Sequence, residues 1–134
     1  CALEKPIDPS DGIGRVIAIR AVDHALIQKT PIDLAINITS MQEMDPSVIS
    51  EYFTDLREAS FKRPLHFYCC NRESKSLPDG TMTRFIEYPW SADDQIVVDE
   101  LCPWHQQYYR LRPPFFRSYD GPVQHRLAIM AKTT

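Results

Sequence analysis

Glycine is scarce in this 134-residue chain, which has four glycines against eleven prolines. Turns that hold phosphates or nucleotides depend on glycine, because its backbone adopts conformations that other residues avoid. The stretch Asp11-Gly12-Ile13-Gly14 has no strand ahead of it, and a short strand is predicted after it at residues 15–20. The scarcity of glycine therefore indicates either a chain that lacks a cofactor loop or a different chemistry.

Long apolar runs and a strong net charge are also missing. No run approaches the roughly 20 apolar residues of a membrane-spanning helix, and no charged-then-apolar signal peptide opens the chain. A net charge of −3 and a pI near 5.8 give no electrostatic reason for a nucleic-acid or anionic-membrane partner. We therefore expect a cytoplasmic protein with no nucleic-acid and no membrane partner.

Metal-binding spacings are absent as well. None of the four cysteines belongs to a Cys-x-x-Cys pair, and the four histidines are widely separated. Cys69 and Cys70 would point to opposite faces of a strand, because successive side chains alternate. The sequence predicts buried, reduced thiols and no metal site.

The stretch at residues 33–44 organises the rest of the chain. Its apolar run at residues 34–38, broken only by Asn37, is typical of a strand buried on both faces of a parallel sheet. Asp45 suits the cap of a following helix, and Pro46 suits its first position. With a second strand at residues 65–70, the pattern predicts a β-α-β unit.

The remaining segments predict a single α/β domain at residues 15–134, preceded by a linker or loop at residues 1–14. A short helix is expected within residues 22–29, and a turn at residues 77–81 predicts a hairpin. A strand at residues 96–98 followed by a short helix is expected next. Residues 123–131 predict a final strand, antiparallel and at the end of the sheet.

Several short segments together resemble the family of sugar O-methyltransferases, and the resemblance extends over residues 15–131. The segments are residues 33–44, Tyr52-Phe53, residues 67–72, Tyr88-Pro89-Trp90, Asp99-Glu100 and Pro103-Trp104-His105. The resemblance implies a class I methyltransferase whose cofactor is S-adenosylmethionine. It implies a Rossmann-like sheet, of which this chain carries the C-terminal half with a hairpin insertion and a terminal antiparallel strand.

The activity that this resemblance implies is methyl transfer to a hydroxyl of a carbohydrate, with a small-molecule or glycan acceptor as the partner. One departure is large. Such an enzyme should open with a strand and a glycine-rich turn that receives the cofactor, and neither is found in this sequence. We therefore expect the chain to supply the acceptor side of the domain.

Two residues are candidates for the base that removes the proton of the acceptor hydroxyl. Glu43 follows the central strand, where ligands bind in open α/β sheets. It is equally explained as part of the helix start or as an ion-pair partner of Arg72. His105 is the second candidate, because an ordinary histidine pKa lies near 6.5.

The other predicted contacts follow from position and residue type. Asn37 interrupts an apolar strand and needs a polar partner, which is either the cofactor or a neighbouring strand. Under the resemblance, Asp23 lies near the adenine end of the cofactor; otherwise it caps a helix. The predicted substrate contacts are Gln42, Asn71, Arg72, Tyr88 and Trp90, the last two by stacking on a sugar ring, although aromatic residues of this kind are also ordinary core material.

Two other functions stay open. The first is a non-catalytic carbohydrate- or protein-binding module whose aromatic loops hold the partner. The second is a different glycan-handling transferase that uses Asp93 and Asp94 with a metal. The second is weaker, because the two acids are adjacent and the sequence supplies no further ligand.

Overall fold

The structure is a computed structural model and describes residues 18–60, 63–105, 107–119 and 121–131. In these residues the chain forms a mixed α/β fold with a four-stranded sheet and two small hairpins. The strands are β1 Leu34–Ile38, β2 Leu65–Arg72, β3 Ser74–Ser76, β4 Met82–Arg84, β5 Gln95–Leu101, β6 Gln107–Tyr109, β7 Phe116–Ser118 and β8 Val123–Met130. The helices are α1 Pro46–Ala59 and 3-10 helices at Ala21–Lys29, Met41–Glu43 and Phe85–Glu87.

The predicted β-α-β unit is confirmed. Strands β1 and β2 are parallel, with Ile36 opposite Tyr68, and α1 connects them. Pro46 is the first residue of α1, where its missing amide hydrogen costs nothing. Asp45 stands at the cap in an extended conformation, but its side chain makes no capping hydrogen bond.

Strand β8 lies inside the sheet, whose order is β1-β2-β8-β5. It is antiparallel to both β2 and β5, so the predicted direction is confirmed. The predicted position at the end of the sheet is wrong, because β5 pairs with the second edge of β8. Since β2 and β5 are both antiparallel to β8, the strands β1, β2 and β5 all run in the same direction.

The hydrophobic core lies between α1 and one face of the sheet. Ile49 and Phe53 of α1 pack there against Leu65 and Phe67 of β2. The opposite face is open at β1, where the side chains of Leu34, Ile36 and Ile38 are 52%, 61% and 45% exposed. The prediction that β1 is buried on both faces is therefore wrong, because β1 is the edge strand and α1 covers one face only.

Predictions for the shorter elements had mixed outcomes. The short helix is present as the 3-10 helix Ala21–Lys29, and the hairpin is formed by β3 and β4. In the part of the chain that the structure describes, no helix follows the strand at residues 96–98; β5 continues to Leu101, and the hairpin of β6 and β7 comes next. Residues 18–20 are not a strand, and residues 1–17, which include the predicted linker, lie outside the described residues.

A buried ion pair ties α1 to the sheet. Both nitrogens at the tip of Arg57 donate to the carboxylate of Asp94, at 2.7 and 2.9 Å. The carboxylate also accepts from the backbone amides of Ser91 and Ala131. Burial alone would raise the pKa of Asp94, but these donors outweigh it and hold the pKa below its ordinary value.

Among the described residues, no helix has both the length and the apolar character needed to cross a bilayer.

Replacing this carboxylate should destabilise the fold in a pH-dependent way. Asp94→Asn leaves the guanidinium of Arg57 buried without its counter-charge, which should lower the free energy of unfolding by about 3 kcal/mol at neutral pH. A lowered folded-state pKa stabilises the fold above the unfolded value of 3.8, and that contribution is lost as the pH falls further. The difference between the two proteins in urea unfolding should therefore be constant above about pH 5 and shrink below pH 3.8.

The matched control is Asp93→Asn, which removes the same charge from the exposed neighbouring residue. It should change the free energy of unfolding by less than about 0.5 kcal/mol. Equal losses from the two substitutions would contradict the role given to the buried pair.

Candidate functional site

Polar side chains of β1 and β2 meet where these parallel strands end. Asn71, near the end of β2, is fully buried, and its amide nitrogen donates to the side-chain oxygen of Asn37 at 3.0 Å. The same oxygen of Asn37 accepts from the backbone amide of Met41 at 3.3 Å. Asn37 thus has its polar partners inside the protein, which was one of the two explanations that the sequence left open.

Gln42 joins this network to the next strand. Its backbone amide donates to the side-chain oxygen of Asn71 at 3.2 Å, and its side-chain oxygen accepts from the backbone amide of Arg72 at 2.7 Å. The hydroxyl of Thr83 in β4 donates to the backbone oxygen of Gln42 at 3.1 Å. The residues predicted as substrate contacts, Gln42 and Asn71, therefore hold the strand ends together.

The backbone turns sharply directly after β1. Thr39 has a φ of +58°, in the left-handed region that β-branched residues rarely adopt. Its amide donates to the backbone oxygen of Cys70 at 2.8 Å, so the turn is held by the neighbouring strand. Strained backbone of this kind is concentrated at functional sites, where the surrounding structure holds it in place.

A cleft of about 320 Å³ opens at this edge of the sheet. Its walls are formed by Thr39, Gln42, Glu43, Arg72, Lys75, Tyr108, Tyr119 and Val123. Three of the predicted site residues, Gln42, Glu43 and Arg72, are therefore brought together. Ligands bind outside the carboxyl ends of strands in open α/β sheets, which is the position of this cleft.

Two of the charged side chains that line the cleft, Glu43 and Lys75, form an ion pair. A carboxylate oxygen of Glu43 lies 3.2 Å from the ammonium of Lys75 and accepts from the side-chain amide of Gln42 at 3.4 Å. The hydrogen bond from Lys75 lowers the pKa of Glu43, although partial burial opposes the shift. At neutral pH this carboxylate is ionised and accepts hydrogen bonds. Arg72, the predicted pairing partner, donates to the hydroxyl of Tyr108 at 3.0 Å, and its positive charge also contributes to the lowered pKa of Glu43.

Two tyrosines form the opposite wall. The rings of Tyr108 and Tyr119 are 4.1 Å apart at an interplanar angle of 67°. A wall with aromatic faces beside ionised and amide groups suits a ligand that has both apolar C–H faces and hydroxyl groups. A second, smaller groove of about 70 Å³ lies between α1 and the segment around Tyr88.

The aromatic residues predicted to stack on a sugar belong to the core. Tyr88 is buried, and its hydroxyl has no hydrogen-bond partner among the described residues. The ring of Trp90 packs edge-on against Phe53, with centroids 4.9 Å apart, and lies 4.7 Å from the guanidinium carbon of Arg126. Its indole nitrogen donates to the backbone oxygen of Phe85 at 3.2 Å.

His105 lies next to two cysteines and outside the cleft wall. Its Nδ1 atom is 3.4 Å from the sulfur of Cys70 and 3.7 Å from the sulfur of Cys102. Neither cysteine was predicted as a site residue. The short spacing between Cys102 and His105 could have indicated that these two side chains lie close together. Cys70 lies in β2, about thirty residues before Cys102, so its position beside them could not be read from the spacing.

The acidic candidates lie away from the cleft. Asp23 accepts from the guanidinium of Arg20 at 2.7 Å, within the segment around the first 3-10 helix. Of the two adjacent acids considered for a metal, Asp94 is bonded to Arg57, and Asp93 is exposed.

Comparison of the chain with protein-family models, curated proteins and solved structures finds no match. The family assignment that the sequence suggests therefore stays a prediction.

Removing the buried amide of Asn71 should destabilise the protein more than removing its half-buried partner, Asn37. Asn71→Ala deprives Gln42 of an acceptor and Asn37 of a donor, which should lower the free energy of unfolding by about 2–3 kcal/mol. Asn37→Ala removes a half-buried side chain and should cost about 1 kcal/mol. Urea unfolding of the two variants measures both values, and an equal or smaller loss from Asn71→Ala would contradict the network.

Proposed function

We propose that this chain supplies the acceptor-binding half of an S-adenosylmethionine-dependent methyltransferase that acts on a carbohydrate hydroxyl. The observation that carries the proposal is the cleft at the carboxyl ends of β1 and β2. It combines an ionised carboxylate, two cationic side chains and an aromatic wall. This combination matches the hydroxyl groups and C–H faces of a sugar.

The acceptor would lie between Glu43 on one side and the two tyrosines on the other. The carboxylate of Glu43 would accept a hydrogen bond from the acceptor hydroxyl and take up the proton that this hydroxyl releases on methylation. Lys75 keeps this carboxylate ionised and oriented. Arg72, held by Tyr108, donates to further hydroxyl oxygens of the same sugar.

The described residues do not form a cradle for the cofactor. The two described glycines, Gly80 and Gly121, lie in surface turns with open space around them. Glycine-rich turns are what allow a backbone to approach a nucleotide closely. When bound, the cofactor supplies the methyl group; under the proposal it is held by sequence outside the described residues.

The open face of the sheet at β1 supports the proposal that a further part of the domain packs against it. Parallel strands are ordinarily covered on both faces, yet the side chains of Leu34, Ile36 and Ile38 are exposed. Among the described residues, no strand pairs with the outer edge of β1. Under the proposal, the part of the domain that holds the cofactor covers this face and extends the sheet.

The role of Glu43 gives a direct test of the proposal. Glu43→Gln keeps the side-chain volume but removes the group that takes the proton. In the enzyme that includes the cofactor-binding half, methyl transfer from labelled S-adenosylmethionine to methyl glycosides should fall by about 10²-fold or more. Cofactor affinity and melting temperature should hardly change, because Glu43 contacts the acceptor and is more than half exposed.

The control is Glu87→Gln, which removes a similarly exposed carboxylate that is also paired, in this case with Arg84. Glu87 lines the smaller groove beside Tyr88, so the control also distinguishes the two pockets. Its turnover should be that of the unchanged enzyme. Normal turnover in Glu43→Gln with a lowered melting temperature would remove Glu43 from the site.

A second candidate function is a non-catalytic carbohydrate- or protein-binding module. It is favoured by the apolar side chains on and beside the hairpin of β6 and β7, where Tyr109, Phe115 and Phe116 are exposed. The same methyl-transfer assay distinguishes the two functions. A module binds glycosides without any methyl transfer, whether or not the cofactor-binding half is present.

A further inference from the structure

We propose that Cys70, Cys102 and His105 form a binding site for a zinc ion. The two sulfur atoms and a ring nitrogen of His105 all lie within 4.8 Å of one another. This inference does not depend on the proposed function, because the three residues lie outside the cleft wall.

The distances fit tetrahedral coordination. A zinc ion bonded to sulfur at about 2.3 Å and to nitrogen at about 2.0 Å, at a tetrahedral angle, holds the two ligand atoms about 3.5 Å apart. The two sulfur-to-nitrogen distances are 3.4 and 3.7 Å, one on each side of this value. The two sulfur atoms lie within 4.8 Å of each other, against about 3.8 Å in a tetrahedral site, so an ion could bind all three atoms if the sulfurs approached by at most about 1 Å.

The backbone around the ligands is already held in place. Cys70 lies in β2, and its carbonyl oxygen accepts from the amide of Thr39 at 2.8 Å. Cys102 follows β5, and its amide donates to the carbonyl oxygen of Val123 at 2.8 Å. Both cysteines are fully buried, so the ion would be shielded from water on the protein side. His105 comes from the loop after β5 and closes the site.

Polar and aromatic groups surround the three ligands. Tyr68 and Tyr119 pack against the two cysteines. The hydroxyl of Tyr68 is hydrogen-bonded to Nδ1 of His125 at 3.0 Å, and the other nitrogen of that ring lies 3.4 Å from a carboxylate oxygen of Glu100. Three protein ligands leave a fourth position for water, as in zinc sites with two cysteines and one histidine.

Zinc fits this set of donors better than the other common ions. Thiolate and imidazole are ligands that zinc prefers, whereas magnesium and calcium prefer oxygen. The main competing explanation is a disulfide between Cys70 and Cys102. A disulfide gives no role to His105, whose nitrogen is close to both sulfurs.

Cobalt(II) is a suitable probe, because cobalt in a tetrahedral thiolate site absorbs visible light and can be displaced by zinc. The metal-free, reduced 134-residue chain should bind one equivalent of cobalt, with thiolate-to-cobalt charge-transfer bands that zinc abolishes. The variants Cys70→Ser, Cys102→Ser and His105→Gln should each lower the affinity by more than about 100-fold.

The matched control is Cys69→Ser, which changes the neighbouring residue on the opposite face of β2. The sulfur of Cys69 accepts a hydrogen bond from the side-chain amide of Asn71, and the hydroxyl oxygen of a serine can accept the same hydrogen bond. This variant should bind cobalt like the unchanged chain, and so should Cys1→Ser. Circular dichroism of each variant checks that the fold is retained.

Zinc should also raise the melting temperature of the unchanged chain, because an ion that binds the folded state stabilises it. Zinc should also slow the reaction of two thiols with a disulfide reagent. This measurement uses the unchanged chain, so it does not depend on whether a variant folds. Absence of the cobalt bands would overturn the proposal, as would bands that persist in the folded Cys102→Ser variant. A disulfide between Cys70 and Cys102 that forms equally fast with and without zinc would also overturn it.

Discussion

The arrangement of the cleft depends on one buried amide, the side chain of Asn71. Because a buried amide has to be paired, its oxygen holds the backbone of Gln42 and its nitrogen holds Asn37. These bonds join the ends of the two parallel strands to the short helix between them. Glu43, the next residue, is thereby held at the mouth of the cleft, beside Lys75. The charged groups of the cleft are therefore positioned by neutral groups behind them.

The parts of the fold that were predicted correctly have local signals. The apolar run of β1, the proline at the start of α1 and the second strand at residues 65–70 follow one another in the sequence, so the parallel pair could be predicted from them. The position of β8 does not, because it pairs with strands that are far away along the chain. Exposure of β1 was also missed, since a continuous apolar run does not reveal whether a second layer covers it.

The candidate site was predicted in part for a similar reason. Position after a strand identified Gln42, Glu43 and Arg72, which line one cleft. Trp90 was expected to stack on a sugar, yet its ring packs against Phe53 and Phe85 in an aromatic cluster. Cys70 and Cys102 come together only through the pairing of β2 and β5 with β8, which no local pattern records. Polar residues at strand ends are thus predictable, whereas clusters formed across the sheet are not.

The central claim is that the cleft beside Glu43 binds the sugar acceptor, and nuclear magnetic resonance tests it most directly. Methyl glycosides are titrated into the isotope-labelled chain while the backbone amide signals are followed. The account predicts saturable shifts at Thr39, Glu43, Arg72 and Lys75, which line the cleft. Shifts confined to the smaller groove between α1 and Tyr88, or no shifts with any glycoside, would contradict it.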